Sequence, residues 1–201
     1  MSERRANDFY ETAPWQVDAL VDNLPELDGT IWCPCVGDGS LVGRLQELRP
    51  HARFITSDID PSKDATFHGD ATSSAHWQFM RDRCALFPCD WVVDNFPFNV
   101  EHLIVPLALK AARKGVVAMA RISFTEPTRD RGPWLAQHPY QKRITLERHS
   151  FTGNGKTDSA TTDWLVWAKV PIQGPFGISA HGYRDGSAQA AKYANVLAEA
   201  K

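Results

Sequence analysis

The chain has 201 residues, which is a usual length for one domain. With 43% hydrophobic and 23% charged residues it can bury a full core, so the composition excludes an intrinsically disordered chain. The formal net charge of -2 excludes a protein that coats nucleic acid through bulk positive charge, so any contact with nucleic acid requires a local basic patch.

The N-terminal segment is polar, and no apolar stretch follows residues 1–5. A secretory signal peptide needs such a stretch, so we expect a cytoplasmic protein. The longest apolar runs, such as residues 103–109, are far too short to cross a bilayer, so no membrane partner is expected.

Helix-like and strand-like segments alternate through the first two thirds of the chain. Helical spacing of apolar residues occurs in residues 14–24, 40–48, 75–84 and 101–112, and short apolar runs typical of strands are residues 30–34, 53–57, 90–94 and 115–123. Strands that alternate with helices pair in parallel through right-handed crossovers. The pattern therefore predicts an α/β fold with a mostly parallel sheet and helices on both faces.

The last third of the chain has a different pattern. Residues 124–140 are rich in Pro, Arg, Gly and Trp and predict a long loop. Residues 143–149 and 161–170 resemble strands separated by a turn region, which predicts a C-terminal antiparallel hairpin at one edge of the sheet. The Ala-rich residues 186–201 favour a helix, docked or frayed, within a C-terminal tail at residues 174–201.

The four cysteines predict no metal site. Cys33 and Cys35 form a C-x-C pair, and Cys84 and Cys89 form a C-x4-C pair; neither spacing fits a common zinc ribbon or finger. No histidine lies close to either pair in sequence, and the seven histidines form no recognisable metal set. We therefore expect no metal and reduced, mostly buried thiols.

The first candidate ligand site is the turn at residues 34–39, between a predicted strand and a predicted helix. Gly37 and Gly39 allow the backbone to turn tightly and to approach a ligand closely, and the following helix N-terminus attracts a carboxylate or phosphate. A purely structural turn has the same sequence, so this motif alone leaves both interpretations open.

Acidic residues extend this candidate site. Asp58 follows the glycine turn by about 20 residues, where a carboxylate accepts hydrogen bonds from both hydroxyls of a ribose. Asp60 can take the same role, and Asp58 can instead cap a turn beside Pro61. Asp70, after the next connection, is placed to accept a hydrogen bond from an adenine amino group.

The sharpest motif is Asn95-Phe96-Pro97-Phe98, directly after an apolar strand. In such a turn the Asn95 side-chain oxygen and the Phe96 carbonyl oxygen bind one exocyclic NH2 group and orient its nitrogen lone pair towards an electrophile. Phe98 would stack on the ring that carries the amine. The alternative is an ordinary proline turn with two core phenylalanines.

The order of these motifs resembles a known family, the class I S-adenosylmethionine-dependent methyltransferases of the amino-group type. Residues 8–15 resemble the segment that precedes the fold and lies over the cofactor, and residues 34–39 resemble the glycine motif. Asp58 and Asp70 match the acids on the ribose side and the adenine side. Residues 95–98 match the (Asp/Asn)-Pro-Pro-(Tyr/Phe) catalytic motif. The chain further resembles small phage and prophage adenine-N6 DNA methyltransferases at residues 120–128, 132–135, 148–153, 155–158 and 164–167.

The resemblance implies a Rossmann-like class I methyltransferase domain over residues 1–173, with S-adenosylmethionine as cofactor and DNA, or alternatively RNA, as partner. The implied catalytic residues are Asn95, Phe96, Pro97 and Phe98. The implied cofactor-binding residues are Tyr10, Thr12, Pro14, Pro34, Cys35, Gly37, Gly39, Asp58, Ile59, Asp70, Ala71 and Asn95. The implied activity is methylation of adenine N6 in DNA, in a bacterial host cell if a phage encodes the chain.

The chain departs from the family pattern at two positions. Cys33 stands where the family often has an acidic residue before Pro34, which changes the expected contact to the amino-acid end of the cofactor. Phe96 replaces the first proline of the catalytic motif; its carbonyl oxygen is retained, but a less rigid loop is expected. These departures concern rate and target choice more than the class of reaction.

DNA has few places to bind on so short a chain. The interval between Asp70 and Asp94 is too short for a target-recognition domain, so residues 124–148 are the candidate substrate-binding region. Cations there can hold phosphates and aromatics can stack on bases, although the segment can also be a solvated loop with its Trp packed on the core. The predicted substrate-binding residues are Arg121, Arg129, Arg131, Trp134, Lys142 and Arg143. So small a reading surface predicts relaxed or short sequence specificity.

Two other interpretations stay open. The same kind of turn serves methylation of an RNA base amine or of a glutamine side-chain amide in a protein, because each substrate presents a planar NH2 group. The chain can also be a non-catalytic binding module that keeps the fold, an interpretation that only Cys33 and Phe96 favour. The sequence predicts neither an oligomeric state nor a target sequence.

Overall fold

The computed structural model describes residues 11–147 and 161–180. Its strands are β1 (Thr30–Cys33), β2 (Arg53–Asp58), β3 (Phe67–His68), β4 (Trp91–Asp94), β5 (Gly115–Arg121), β6 (Lys142–Leu146), β7 (Thr162–Ala168) and β8 (Gly177–Ala180). Its helices are α1 (Pro14–Asn23), α2 (Ser40–Leu48), α3 (Ser74–Arg83), α4 (Glu101–Ala111) and α5 (Gly132–Gln137), and Ile122–Thr125 forms a 3-10 turn. None of the helices described is long and apolar enough to cross a membrane.

The strands form a single sheet in the order β3-β2-β1-β4-β5-β7-β6-β8. β1 pairs in parallel with β2 and β4, and β4 pairs in parallel with β5, as the alternation of strands and helices predicts. β7 pairs antiparallel with both β5 and β6, which is the predicted C-terminal hairpin. The predicted α/β class, a mostly parallel sheet with an antiparallel hairpin, is confirmed.

Each face of the sheet is covered by an apolar layer and by helices. Ile31 and Trp32 are adjacent in β1 and fully buried, but they belong to opposite layers because successive strand side chains point to opposite faces. The layer of Ile31 includes Leu20 of α1 and Leu45 of α2. The layer of Trp32 includes Met80 of α3 and side chains of α4. Helices therefore pack on both faces, as predicted.

The connection from β5 to β6 runs from the carboxyl end of β5 back to the amino end of β6, with β7 between the two strands. Both strands are antiparallel to β7, which lies between them, so β6 runs in the same direction as β5. The chain must therefore return to the amino ends of these strands before β6 begins, and α5 lies on this return path. The prediction of a long loop at residues 124–140 is wrong over α5, because a six-residue helix that starts Gly-Pro is too short to show helical periodicity.

The C-terminal tail also differs from the prediction where the structure describes it. Gly177–Ala180 (β8) pairs in parallel with β6 and extends the sheet beyond the predicted boundary at residue 173. Its four residues alternate between exposed and half-buried and begin with glycine, so the sequence gives no strand signal. The predicted helix at residues 186–201 and the predicted turn region at residues 152–159 lie outside the described residues.

Candidate active site

A cavity of about 590 Å³ opens at the carboxyl ends of the parallel strands. The sheet order reverses between β1 and β4 at this point, and open α/β sheets bind ligands at such a reversal. The walls come from the turns after β1, β2, β3 and β4, with Thr12 and the beginning of α4. The volume falls within the range of small-molecule pockets, about 300–1,000 Å³.

Hydrogen bonds hold the glycine turn after β1 in shape. Gly37 and Gly39 have φ of +62° and +82°, in the left-handed region that glycine adopts most easily. The Gly37 N–H donates to Asp58 Oδ2 at 2.9 Å, and the Gly39 N–H donates to the Val36 carbonyl oxygen at 3.0 Å. Pro34, Cys35 and Gly37 line the cavity, whereas Gly39 shapes the turn directly before α2.

Asp58 connects the turns after β1 and β2. Its carboxylate is buried and accepts the Gly37 N–H through Oδ2 and the Asp60 N–H through Oδ1, the latter at 2.9 Å. Asp60 also lines the cavity, but its carboxylate accepts the Ser62 N–H, and this bond lowers the pKa of Asp60. The geometry favours Asp58 over Asp60 as the acid that faces a ligand across both turns.

The opposite end of the cavity is formed by residues that follow β2 and β3. Asp70, Ala71 and Ile59 all line it, as predicted for one ligand surface. Asp70 Oδ1 accepts hydrogen bonds from the N–H and the hydroxyl of Thr72, at 2.8 and 2.7 Å, which fixes the direction of the carboxylate. Ile59 is 60% exposed and presents an apolar surface at the rim.

The turn after β4 brings Asn95 and Pro97 into the cavity wall. The Asn95 N–H donates to Asp94 Oδ1 at 2.9 Å, and its side-chain Nδ2 donates to Thr12 Oγ1 at 3.2 Å. Phe96, between the two lining residues, is 1% exposed and belongs to the core layer of Trp32. Although the first proline of the motif is missing, its replacement anchors the turn in the core.

Phe98 and Arg121 form one surface beside this turn. Phe98 is half-buried, and the guanidinium carbon of Arg121 lies 4.6 Å from the centre of its ring, which is a cation–π contact. Arg121 ends β5, which is the neighbour of β4, so the two strand ends place the residues together. A predicted catalytic residue and a predicted substrate-binding residue are therefore in contact.

Sequence reasoning missed Asp94, the last residue of β4, although it lines the cavity and is only 2% exposed. Oδ2 accepts the Cys35 N–H at 2.6 Å, and Oδ1 accepts the Asn95 N–H. Burial raises the pKa of Asp94 well above its ordinary value, and the negative charge of Asp58 adds to this, whereas the two N–H bonds oppose it. An acidic residue that ends an otherwise apolar strand is the sequence signal for this residue.

Cys33 and Cys35 lie near the cavity as free thiols. Burial raises the pKa of Cys35 and of Cys33, and the nearby Asp94 raises both further, so both thiols are protonated at neutral pH. Within residues 11–147 and 161–180, no three His, Cys, Asp or Glu side chains are grouped as metal ligands would be.

The remaining predicted cofactor residues have different positions. Thr12 lines the cavity beside Asn95. Pro14 is exposed in the first turn of α1 and does not line the cavity, so the structure does not bring it to the ligand surface. Tyr10 lies outside the described residues.

Two further predicted substrate-binding arginines lie on the segment that follows β5. Arg131 packs over the Phe124 ring at 5.0 Å, and its Nη2 donates to the carbonyl oxygens of Ser123 and Glu126. These bonds hold Arg131 against the 3-10 turn that follows Arg121. Arg129 is exposed in the same segment.

The structure does not bring Lys142, Arg143 and Trp134 to the cavity, which corrects their grouping with Arg121. Lys142 is 2% exposed, and its Nζ donates to the carbonyl oxygens of Asn23, at 2.6 Å, and Gln173. Asn23 ends α1, and Thr12, which lines the cavity, precedes the other end of that helix, so Lys142 holds elements together away from the cavity.

Arg143 and Trp134 also have structural partners. Arg143 forms an ion pair at 2.8 Å with Asp163, which is fully buried on the neighbouring strand. Trp134 stacks on His138 at 4.8 Å and contacts Trp167, so it packs on the core, which is the alternative that its sequence context left open. Trp134 lies in α5, on the connection from β5 to β6, and Arg143 lies in β6 itself.

Comparisons with known proteins identify the fold. No protein-family model and no curated protein matches the chain. Among solved structures, it is similar to a protein assigned to the class I S-adenosylmethionine-dependent methyltransferases of Listeria monocytogenes, with TM-score 0.59 and 13% identity over 97% of this chain and 72% of the other.

Two further structures show the same likeness. The methyltransferase subunit of a type I restriction-modification system of Streptococcus thermophilus has TM-score 0.61 and 12% identity; it matches 96% of this chain, which spans 54% of that subunit. The O-methyltransferase TomG of Streptomyces achromogenes, in complex with SAM, has TM-score 0.55 and 16% identity over 79% and 82% of the two chains. The chain has the Rossmann-like fold that these methyltransferases share.

Proposed function

We propose that the chain transfers a methyl group from S-adenosylmethionine to an exocyclic amino group, N6 of adenine in DNA, with relaxed or short sequence specificity. The observation that carries the proposal is the joint placement of Asp58, Asp70 and the Asn95 turn in one cavity at the reversal of the sheet. Each motif by itself has a structural explanation. Because all three line the same cavity, they suit one elongated donor and the substrate amine that accepts its methyl group.

The residues of the cavity fit this donor. Each carboxylate oxygen of Asp58 accepts one backbone N–H and keeps acceptor capacity for a ribose hydroxyl. Asp70 and the apolar surface of Ile59 suit the amino group and the ring of an adenine. The left-handed Gly37 allows the backbone to approach the ligand without a side chain in between.

The Asn95 turn suits the acceptor amine. Because Nδ2 of Asn95 donates to Thr12, the carbonyl end of the amide is the side that can accept a hydrogen bond from a substrate NH2 group. Together with the Phe96 carbonyl oxygen it would orient the nitrogen and stabilise the positive charge that develops on it. When bound, S-adenosylmethionine supplies an electrophilic methyl group, so the chain contributes position and exclusion of water and needs no strong base.

Arg121 and Phe98 favour a nucleic acid over a glutamine amide. An aromatic ring beside the amine-binding turn suits a base removed from its stack, and the guanidinium on that ring suits a flanking phosphate. Arg131 and Arg129 follow on the same segment.

A transfer assay tests the proposal. The protein is incubated with tritiated S-adenosylmethionine and DNA, RNA or a protein mixture, and the labelled DNA is digested to nucleosides for mass spectrometry. We expect N6-methyladenine in DNA, including plasmids of different sequence. Label in RNA or protein alone would overturn the substrate, a strict six-base site would overturn the specificity, and S-adenosylmethionine binding without any transfer would support a non-catalytic module.

A further inference from the structure

Two buried aspartates occupy the two ends of β4. Asp90 precedes the strand and is 8% exposed, and Asp94 ends it and is 2% exposed. Asp90 accepts the N–H of Thr30 at 2.9 Å, and Asp94 accepts the N–H of Cys35 at 2.6 Å. Each carboxylate therefore connects β4 to one end of the neighbouring strand β1.

The two carboxylates differ in how their charge is balanced. Asp90 forms ion pairs with Arg113 at 2.9 Å and Lys114 at 3.8 Å. Over the part of the chain that the structure describes, Asp94 has no cation within ion-pair distance, and the charged side chain that acts on it is Asp58, of the same sign. When a buried carboxylate is ionised, a cationic partner stabilises it, and Asp94 faces a cavity in which a ligand can supply that cation.

The position of Asp94 indicates which part of the donor would reach it. Asp58 and Asp70 place the ribose and adenine on the side of β2 and β3, and Asn95 places the reacting methyl group beside β4. The amino-acid end of the donor, which shares the sulfonium with that methyl group, therefore lies between β1 and β4. Cys33, which ends β1, offers no carboxylate there.

We propose that Asp94 binds the α-ammonium group of S-adenosylmethionine, and that this ion pair positions the glycine turn against the Asn95 turn; the inference rests on the proposed function. Oδ1 and Oδ2 each accept one backbone N–H and have capacity for a further donor. These N–H groups belong to Cys35 and Asn95, so a ligand bound by Asp94 would contact a side chain that is hydrogen-bonded to both turns. The acid absent at residue 33 is thus supplied by the adjacent strand.

The test uses ligands that differ at the amino-acid end. Calorimetry measures S-adenosylmethionine, S-adenosylhomocysteine and 5′-methylthioadenosine, which lacks that end, binding to the wild type, Asp94→Asn and Asp90→Asn. We expect Asp94→Asn to weaken the first two ligands about tenfold or more and 5′-methylthioadenosine less than about twofold. Asp90→Asn, which removes the charge of the carboxylate at the other end of β4, should lower stability without changing the ratio of the affinities.

A second measurement needs no variant. The wild type should bind an S-adenosylhomocysteine analogue in which hydrogen replaces the α-amino group about tenfold more weakly than S-adenosylhomocysteine. Equal affinity for these two ligands, or an equal loss for all ligands in Asp94→Asn, would overturn the inference while leaving the proposed function intact. A wild type that binds none of the adenosine ligands would instead overturn the proposed function.

Discussion

The side chains of Thr12 and Asn95 lie 83 positions apart in the sequence and are joined by a hydrogen bond of 3.2 Å from Nδ2 to Oγ1. Thr12 belongs to the segment directly before α1, and Asn95 to the turn after β4. The bond fixes the rotation of the Asn95 amide, and so decides which of its two ends is presented to a substrate amine.

Replacement of Asn95 by Ala should strongly slow methyl transfer while leaving the donor bound. Loss of one preorganised acceptor at the reacting nitrogen lowers kcat about 10²–10³-fold. Calorimetry with S-adenosylhomocysteine should give an affinity within about twofold of the wild type, since such a contact acts on the transition state. Asn23→Ala, which removes an amide that bonds within α1, is the matched control with unchanged turnover.

Thr12→Val tests the orientation of that amide. Valine has nearly the same shape but no hydroxyl, so Asn95 loses the acceptor for Nδ2 and rotates more freely. We expect kcat to fall about three- to tenfold, as for loss of one hydrogen bond, and Thr12→Ser to keep most of the activity. Equal kcat in the valine and serine variants would show that the hydroxyl has no part in orienting Asn95.

Arg121→Ala should weaken DNA binding and make it less sensitive to salt. If the guanidinium binds a phosphate, its loss lowers the slope of log affinity against log salt concentration by about one unit. Arg121→Lys should restore the salt slope but not the full affinity, because lysine has no planar group to stack on Phe98. Fluorescence anisotropy on one oligonucleotide across a salt series measures both quantities.

Lys142→Met should destabilise the fold without affecting DNA binding. The substitution leaves the carbonyl oxygens of Asn23 and Gln173 without their donor, which costs about 1–3 kcal/mol in the free energy of unfolding. Urea denaturation measures the loss, and anisotropy should show an unchanged salt slope. A reduced slope with unchanged stability would return Lys142 to the substrate surface.

The pH dependence of stability and ligand binding should run in opposite directions at Asp94. Its pKa is raised in the folded protein by burial and by Asp58, so protonation favours the ligand-free fold. Stability from this group therefore falls as pH rises from the ordinary carboxyl range through the raised pKa. Affinity for S-adenosylmethionine should rise over the same window, because the ammonium requires the ionised carboxylate.

Melting temperatures measured across that window, with and without S-adenosylmethionine, test the sign. The stabilisation by ligand should grow with pH in the wild type and stay constant in Asp94→Asn. The neighbouring thiol of Cys35 stays protonated in the folded protein, because burial and Asp94 raise its pKa. Ligand stabilisation that decreases with rising pH would contradict the assignment.

Much of the fold follows from the apolar pattern of the sequence. The predicted segments match α1, α2, α3, α4 and the strands β1, β2, β4 and β5 within one or two residues, because the helices show apolar periodicity and the buried strands are short apolar runs. β3 and α5 have two and six residues, too few for such a signal, and β8 begins with glycine and contains no apolar run. Their positions depend on pairing and on the return path between β5 and β6.

The misplaced site residues have a related cause. Lys142 and Arg143 are charged, so the sequence predicts that both are exposed to solvent. Only the fold brings the carbonyl oxygens of Asn23 and Gln173 to Lys142. It also brings Asp163 to Arg143. Asp94 was missed because its relation to Cys35 depends on the adjacency of β1 and β4. The motifs that follow each strand were recognisable, since their residue types are dictated by local backbone and ligand chemistry.

Phe96 widens the range of sequences that can build the turn after β4. A second proline stiffens a turn through its ring, whereas Phe96 achieves a fixed position by inserting its side chain into the core layer of Trp32. An apolar residue of similar volume that fills this space is expected to anchor the turn in the same way. A double proline is therefore one of several ways to fix the turn after β4. In this fold the sequence Asn-apolar-Pro-Phe can replace the double-proline motif.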